Sequence, residues 1–350
     1  MRVAIVDRFY PMPGGVTTLV EALAKEYDGK IDYEIITQKA EEKIPKVVSF
    51  PEKSTFKFYF KAFNYIRKNN FDVIHSHSSF ISFFKLFLKP KIILTIHGYE
   101  KAFDAPSLKV KINENYIRGN LKVLAYRLAH VLVPTSTLLE EHLTGSYNIS
   151  RKKIRIIPSV VDINFFKPLK VKKNKEVRIF QYSTSNRKGF NYLIKWTREM
   201  SKKGYDFKFV VVGGDKELIP KDIEKHFDSL GFVPFNKMPQ VYNSCDIVIL
   251  ASLHDPFGLT PGEGMSCGKV AIITPYCGIK DYIKDGVNGF VCDFDKFPEK
   301  LELLIKDKKL REKMSSVARK AMMDNLSVQS VAKRYINLYG DVISNKNGRA

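Results

Sequence analysis

Cysteine is scarce in this chain and badly placed for crosslinking. There are four in 350 residues, Cys245, Cys267, Cys277 and Cys292, all in the second half and none in a C-x-x-C pair. A disulfide framework or a structural zinc is therefore not expected, and a reducing compartment fits better. Long apolar runs are missing as well: no stretch reaches the roughly 18 residues of a membrane span, and MRVAIVDRFY is too short and too charged for a signal peptide. A cytoplasmic protein is expected. Acids are the third deficit, since 37 Asp and Glu face 58 Lys and Arg for a formal charge of +21. The excess is spread along the chain with no basic tail. It predicts anionic company, such as nucleotide phosphates, nucleic acid or an acidic membrane face, or else a Lys-rich surface suited to heat or salt.

What is present reads as a folded α/β chain. Hydrophobic residues at 44% and charged residues at 27% are ordinary for a globular protein, and the length favours two domains over one core. Short β-branched runs, RVAIVD (2–7), YEIIT (33–37), DVIHSH (72–77), KIILTIHG (91–98), HVLVPTS (130–136) and KIRIIP (153–158), alternate with amphipathic stretches such as TTLVEALAKEY. That alternation marks a parallel sheet covered by helices. After the basic connector KPLKVKKNKE (167–176) the pattern restarts with VRIFQYS, FKFVVVGG, SLGFVPF, DIVILAS, KVAIITP and NGFVCDF. Two Rossmann-like domains are expected, residues 1–168 and 169–326. The last helix and tail, 327–350, are expected to cross back to the first domain. In open sheets of this kind ligands sit at the carboxyl ends of strands, so the facing edges should form one cleft.

Several residues at those strand ends carry candidate chemistry. Gly14 and Gly15 stand between the first strand and a helix, where backbone N–H groups can approach an anion, although most such glycines only shape a turn. His75 and His77 alternate on a strand and point the same way, but no third ligand supports a metal site. His97, in TIHG, is the better candidate for a sugar or phosphate contact. Arg187 and Lys188, in SNRKGF, can neutralise a diphosphate, or can be a solvated basic loop.

The most informative stretch is HDPFGLTPGEGMSCG, residues 254–268, which sets Asp255 and Glu263 around a turn of Pro, Gly and small residues. It resembles the signature of the retaining, nucleotide-sugar-dependent glycosyltransferases of family 4, which have the GT-B fold. That family shows a glutamate, seven residues and a second glutamate; this chain has Asp255, seven residues and Glu263. PGGV, IHSH, TIHG, IIPSVVDINFFKP, RKGF, GFVPFNKMPQVYNSCDIVILAS and YCGIKDYIKDGVNGFVCDF match further family blocks in the same order, over about residues 1–345.

The resemblance implies a role for each of these residues. Glu263 would accept the ribose hydroxyls of the nucleotide, and Asp255 the hydroxyls of the donor sugar. The backbone of Phe257, Gly258, Leu259 and Thr260 would surround sugar and phosphate oxygens. Arg187 and Lys188 would stabilise the charge that develops on the leaving diphosphate. Gly14 and Gly15 would border phosphates and acceptor, and His97 would touch the donor sugar. Base recognition would use backbone near Gly213, Gly214, Phe232 and Val233. No metal or other cofactor is implied; the donor would be a UDP- or GDP-sugar, and the acceptor a glycan or lipid-linked saccharide.

Three departures stand out. Asp255 is one methylene shorter than the family's glutamate; Ser183 stands where an arginine is usual, so Arg187 is expected to compensate; and the linker has Ser159-Val160 in place of Asn-Gly. These keep a catalytically silent partner subunit in view. Lys53, Lys57, Lys61, Arg67 and Lys68 are interleaved with Phe56, Phe58, Tyr59, Phe60, Phe63 and Tyr65 over residues 53–70, without an acid. Such a helix suits the anionic cytoplasmic face of a membrane, or its aromatics are core and its lysines solvated. A basic nucleic-acid-binding protein is the rival from another class, but none of the common binding motifs is present and no nucleic acid is expected.

Overall fold

A computed structural model describes residues 1–10, 15–38, 44–98, 119–172 and 174–344. Gly14 lies outside the described residues. The chain divides into two units, Met1–Pro158 with Val331–Ala350, and Ser159–Ser330.

The first unit is built on a parallel sheet of β1 (Arg2–Val6), β2 (Asp32–Thr37), β3 (Val47–Ser49), β4 (Val73–Ser76), β5 (Lys91–Ile96) and β6 (Val131–Pro134), in the order β3-β2-β1-β4-β5-β6. Each central strand is almost wholly buried because helices cover both faces, which is why the runs read as continuously apolar. Sequence patterning misses β3, whose three residues are too short to show a period. The apolar run 153–158 forms no extended strand. It meets the sheet through a single bridge, Ile154 to Leu132, and backbone bonds from Arg155 to Leu132 and from Ile157 to Pro134.

The helix Val328–Ser344 packs on this unit through Tyr335 and Tyr339. Tyr339 Oη lies 2.6 Å from His75 Nδ1 and 3.1 Å from Tyr27 Oη; Thr95 Oγ1 lies 2.7 Å from His75 Nε2 and 3.1 Å from Tyr335 Oη. All five side chains are buried, so each polar group needs the others.

The second unit repeats the plan with β7 (Val177–Tyr182), β8 (Phe207–Val212), β9 (Phe227–Gly231), β10 (Ile247–Leu250), β11 (Val270–Ile273) and β12 (Gly289–Val291), parallel throughout and ordered β12-β11-β10-β7-β8-β9. Residues 159–168, expected with the first domain, are counted with this unit. The reason is physical: Val161 donates its N–H to Leu326 O at 2.8 Å, and Val161 and Phe166 belong to the core of the second unit. Among the described residues no helix is long and apolar enough to cross a membrane.

Candidate active site

In the second sheet the order reverses between β7 and β10, and a reversal leaves a gap above the carboxyl ends where the two departing loops diverge. The loop after β7 is folded on itself by Gln181, whose buried side chain donates from Nε2 to the carbonyls of Ser183 at 3.1 Å and Lys188 at 3.3 Å. Ser183 takes a left-handed φ of 70°, uncommon for a residue with a side chain. A turn over Asn186–Lys188 ends at Gly189, φ 80°, where an added Cβ would lie 2.0 Å from Ala251 O. Only glycine lets this loop press so closely against the end of β10.

That approach brings the two candidate groups together. Lys188 Nζ forms an ion pair with Asp255 Oδ2, and the two side chains are 13% and 11% exposed. Arg187 turns aside and donates from Nη1 to His254 O at 3.3 Å, while Leu253 N–H returns a bond to Arg187 O at 3.0 Å. The backbone of Asp255 is fixed from both directions: its N–H donates to Tyr276 O and its carbonyl accepts from Gly278, each at 3.0 Å. The side chains expected to serve sugar hydroxyls and phosphate are thus already charge partners.

Beyond Asp255 the chain passes Phe257, which is buried, and Gly258, φ 86°, into the helix Leu259–Ser266. No side chain caps that helix, so its first-turn N–H groups keep the anion-binding capacity of a helix start. Leu259 and Thr260 form the first turn and are partly exposed. Glu263 follows on the same helix, and Tyr242 donates its hydroxyl to Glu263 Oε2 at 2.5 Å. Burial pushes the Glu263 carboxyl up to about 7, and the bond from Tyr242 pulls the other way. Tyr242 is itself buried, and its hydroxyl is raised well above 10 by burial and by Glu263. Tyr242 is the residue sequence reading misses, because nothing local in VYNSCD shows that its hydroxyl meets a carboxylate in a later helix.

Gly213 and Gly214, φ 73° and 89°, follow β8, and Gly213 N–H donates to Gly231 O at 2.7 Å at the end of β9. Phe232 is 87% exposed just beyond, and Val233 packs against the core. Within the second unit, then, the residues predicted from sequence all lie along or beyond one rim, the carboxyl ends of β7, β8, β9 and β10.

In the first unit Gly15 opens the helix Gly15–Tyr27 after β1. His97 follows β5, and its Nε2 lies 2.9 Å from His77 Nδ1. Burial lowers His97 to about 4 and His75 to about 3, so both rings are neutral at pH 7 and act as hydrogen-bonding groups without charge. Among the described residues no group of three His, Cys, Asp or Glu is arranged to hold a metal.

Family models match both units. The model for glycosyltransferase family 4 covers residues 13–165, and that for glycosyl transferases group 1 covers residues 161–321. Two uncharacterized glycosyltransferases of Methanocaldococcus jannaschii are similar, one 24% identical over 59% of each chain, the other 25% identical over 89% of this chain and 90% of that one. A UDP-Gal:alpha-D-GlcNAc-diphosphoundecaprenol alpha-1,3-galactosyltransferase of Escherichia coli is 23% identical over 80% of this chain and 78% of its own. Among solved structures, Anabaena HepE in complex with UDP superposes with a TM-score of 0.75 over 97% of this chain and 100% of that chain, at 16% identity. With matched models spanning both units and the GT-B architecture of two Rossmann-like domains, the chain belongs to the group 1 glycosyltransferases, glycosyltransferase family 4.

Proposed function

We propose that this glycosyltransferase moves a hexose-type sugar from a nucleoside-diphosphate sugar, UDP- or GDP-linked, to a hydroxyl of a lipid-linked saccharide or glycolipid, with retention at the anomeric carbon and without a metal. The observation that carries the reading is the second-unit rim, where a carboxylate, a cation and an uncapped helix start meet at the switch point. Glu263, when ionised, accepts the two ribose hydroxyls, since one carboxylate can take a pair of donors. Asp255 accepts hydroxyls of the donor sugar, and Lys188 follows the charge onto the diphosphate.

The reaction conserves its atoms as follows. The acceptor oxygen bonds to the anomeric carbon as the bond from that carbon to the diphosphate oxygen breaks, on the same face. The diphosphate keeps the electron pair, and one of its oxygens takes the acceptor proton. Lys188 and the N–H groups of the 257–260 turn offset the new charge, and Arg187, which donates from Nη1 to His254 O at 3.3 Å, adds to them by swinging toward the diphosphate. Gly15 and His97 keep their assignments to phosphate and acceptor and to the donor sugar.

A lipid-linked acceptor is supported by the undecaprenol-linked substrate named for the E. coli relative and by the helix Thr55–Lys68. Its aromatics divide: Phe58, Tyr59 and Phe63 are core, while Phe56 and Phe60 remain 61% and 49% exposed. Phe87, 68% exposed, joins Phe60 through the ring of Phe63, and its chain neighbour Leu86 is 85% exposed. Lys53, Lys57, Arg67 and Lys68 are exposed around this patch. Aromatic anchors ringed by cations suit the anionic interface of a membrane.

Two experiments test the proposal. Incubating the protein with a panel of nucleotide sugars and undecaprenol-linked saccharides should give transfer by one donor, lost in Glu263→Ala, with NMR of the product reporting the anomeric configuration. An inverted product would end the retaining assignment. Flotation with anionic vesicles should carry the protein upward, and Phe56→Ser with Phe87→Ser should leave it at the bottom. Equal non-binding to anionic and neutral vesicles would remove the membrane from the account.

A further inference from the structure

The second unit has a cavity of about 870 Å³ at the opposite edge of its sheet from the proposed donor site. Its walls include Val177, the first residue of β7, Asp246, which precedes β10, and Lys269, which precedes β11. In a parallel sheet these mark the amino ends of the strands. The six residues of β7 place roughly 20 Å of strand between this cavity and the Lys188 loop. Connector residues 168–172 and 174–176 and the helix Lys308–Leu326 supply the other walls.

The charge of the lining is lopsided, with seven basic side chains and three acidic ones. Three of the cations are held by carbonyl oxygens. Arg311 Nη1 donates to Leu304 O and to Ile305 O, the latter at 2.9 Å; Arg319 Nη1 donates to Ser266 O; and Lys269 Nζ donates to Asn243 O at 3.0 Å. For Arg311 and Arg319, carbonyl partners fix the position of the cation without cancelling its charge, which is the arrangement a preorganised anion site needs. Lys170, Lys172 and Lys175 take part in no ion pair among the described residues. Of the three acids, Glu176 pairs with Arg178 at 3.0 Å, Asp246 accepts the Arg178 N–H at 2.9 Å, and Glu312 pairs with Lys308 of the same lining at 3.9 Å, which offsets one of the seven lining cations. Asn243 anchors the start of the connector, accepting from Leu169 N–H and donating to Lys167 O, each at 2.8 Å.

We propose that this cavity is a second binding site, for a free multivalent phosphate anion such as a short polyphosphate or the phosphate chain of a nucleotide. A concave volume of this size suits a small molecule, and guanidinium and ammonium groups together suit phosphate oxygens. The site is separate from the donor rim and does not rest on the function proposed for that rim. Its occupant would tie the connector to the helix Lys308–Leu326 and stabilise the second unit.

The test is calorimetry and thermal unfolding with inorganic tripolyphosphate, at physiological salt, on Lys188→Ala protein, so that the cation assigned to phosphate at the donor rim does not contribute. The expected result is one ion bound per chain and a raised unfolding midpoint. Lys172→Glu with Lys175→Glu should weaken binding by at least about tenfold, whereas Lys195→Glu with Lys202→Glu, the same charge change on the exposed helix Phe190–Ser201 and its end, should leave it intact. No binding, or equal loss in both double variants, would overturn the proposal, the second outcome marking general attraction to a basic protein. Binding by phosphatidic acid vesicles but not by tripolyphosphate would overturn it in favour of a lipid surface.

Discussion

The carboxyl of Glu263, pushed up to about 7 by burial, ties nucleotide binding to pH. Its raised value means that the folded protein holds a proton which the unfolded chain has lost above the ordinary carboxylate range. Stability from this group is therefore full below about 4.5 and is lost as pH rises through about 7. Hydroxyl groups of a ribose are accepted by the ionised form. Nucleotide affinity should thus rise several-fold between pH 6 and 8, as linkage requires. Tyr242→Phe removes a bond that holds the carboxyl down, so the inflection should move to higher pH. Glu263→Gln should bind more weakly with a flat profile, and calorimetric titration across that range measures all three. Asp255 and Glu263 were legible as candidates because seven residues between two acids, around a Pro-Gly turn, form a local pattern. Tyr242 was not, since its partner is brought to it only when the helix Leu259–Ser266 packs. Nor was the Lys188 pairing with Asp255, which depends on Gly189 meeting Ala251 across two loops.

Among the elements, the helix Val328–Ser344 depends most on buried polar contacts. Tyr339→Phe would leave His75 Nδ1 and Tyr27 Oη short of a partner in a dry site. The expected cost is about 1–3 kcal/mol, read as a fall of several degrees in the midpoint of thermal unfolding, while Ser344→Ala at the exposed end of the helix should change little. The strands of both sheets were readable as apolar runs because burial on two faces removes polar residues from them. The exceptions follow the same physics. The edge strand β3 has only partly buried residues, and the run 153–158 is apolar because Ile154 and Ile157 are buried beside the sheet without extending its ladder. Aromatic helices such as Thr55–Lys68 are ambiguous in sequence, since a phenylalanine facing the core and one facing outward have the same composition.

For the whole molecule, the formal charge of +21 now has three proposed places to meet anions: the donor rim, the aromatic patch of the first unit and the cavity at the amino ends of the second sheet. Composition gave the sign of the partners, and only the folded arrangement separates the places. The two-unit plan was legible from the restart of strand patterning after residue 176. The placement of 159–168 was not, because it follows from a backbone bond and a buried phenylalanine with no sequence period. The rim around Lys188, Asp255 and Glu263 is proposed to bind a nucleoside diphosphate. The direct measurement is titration calorimetry of the purified chain with UDP, GDP, ADP and dTDP, with and without EDTA, alongside Glu263→Ala and Lys188→Ala. One nucleotide is expected to bind, EDTA to make no difference, and both substitutions to weaken binding by tenfold or more, about what losing one charged contact costs. Folded protein that binds none of the four, or that binds one equally well without Glu263 and Lys188, would contradict it.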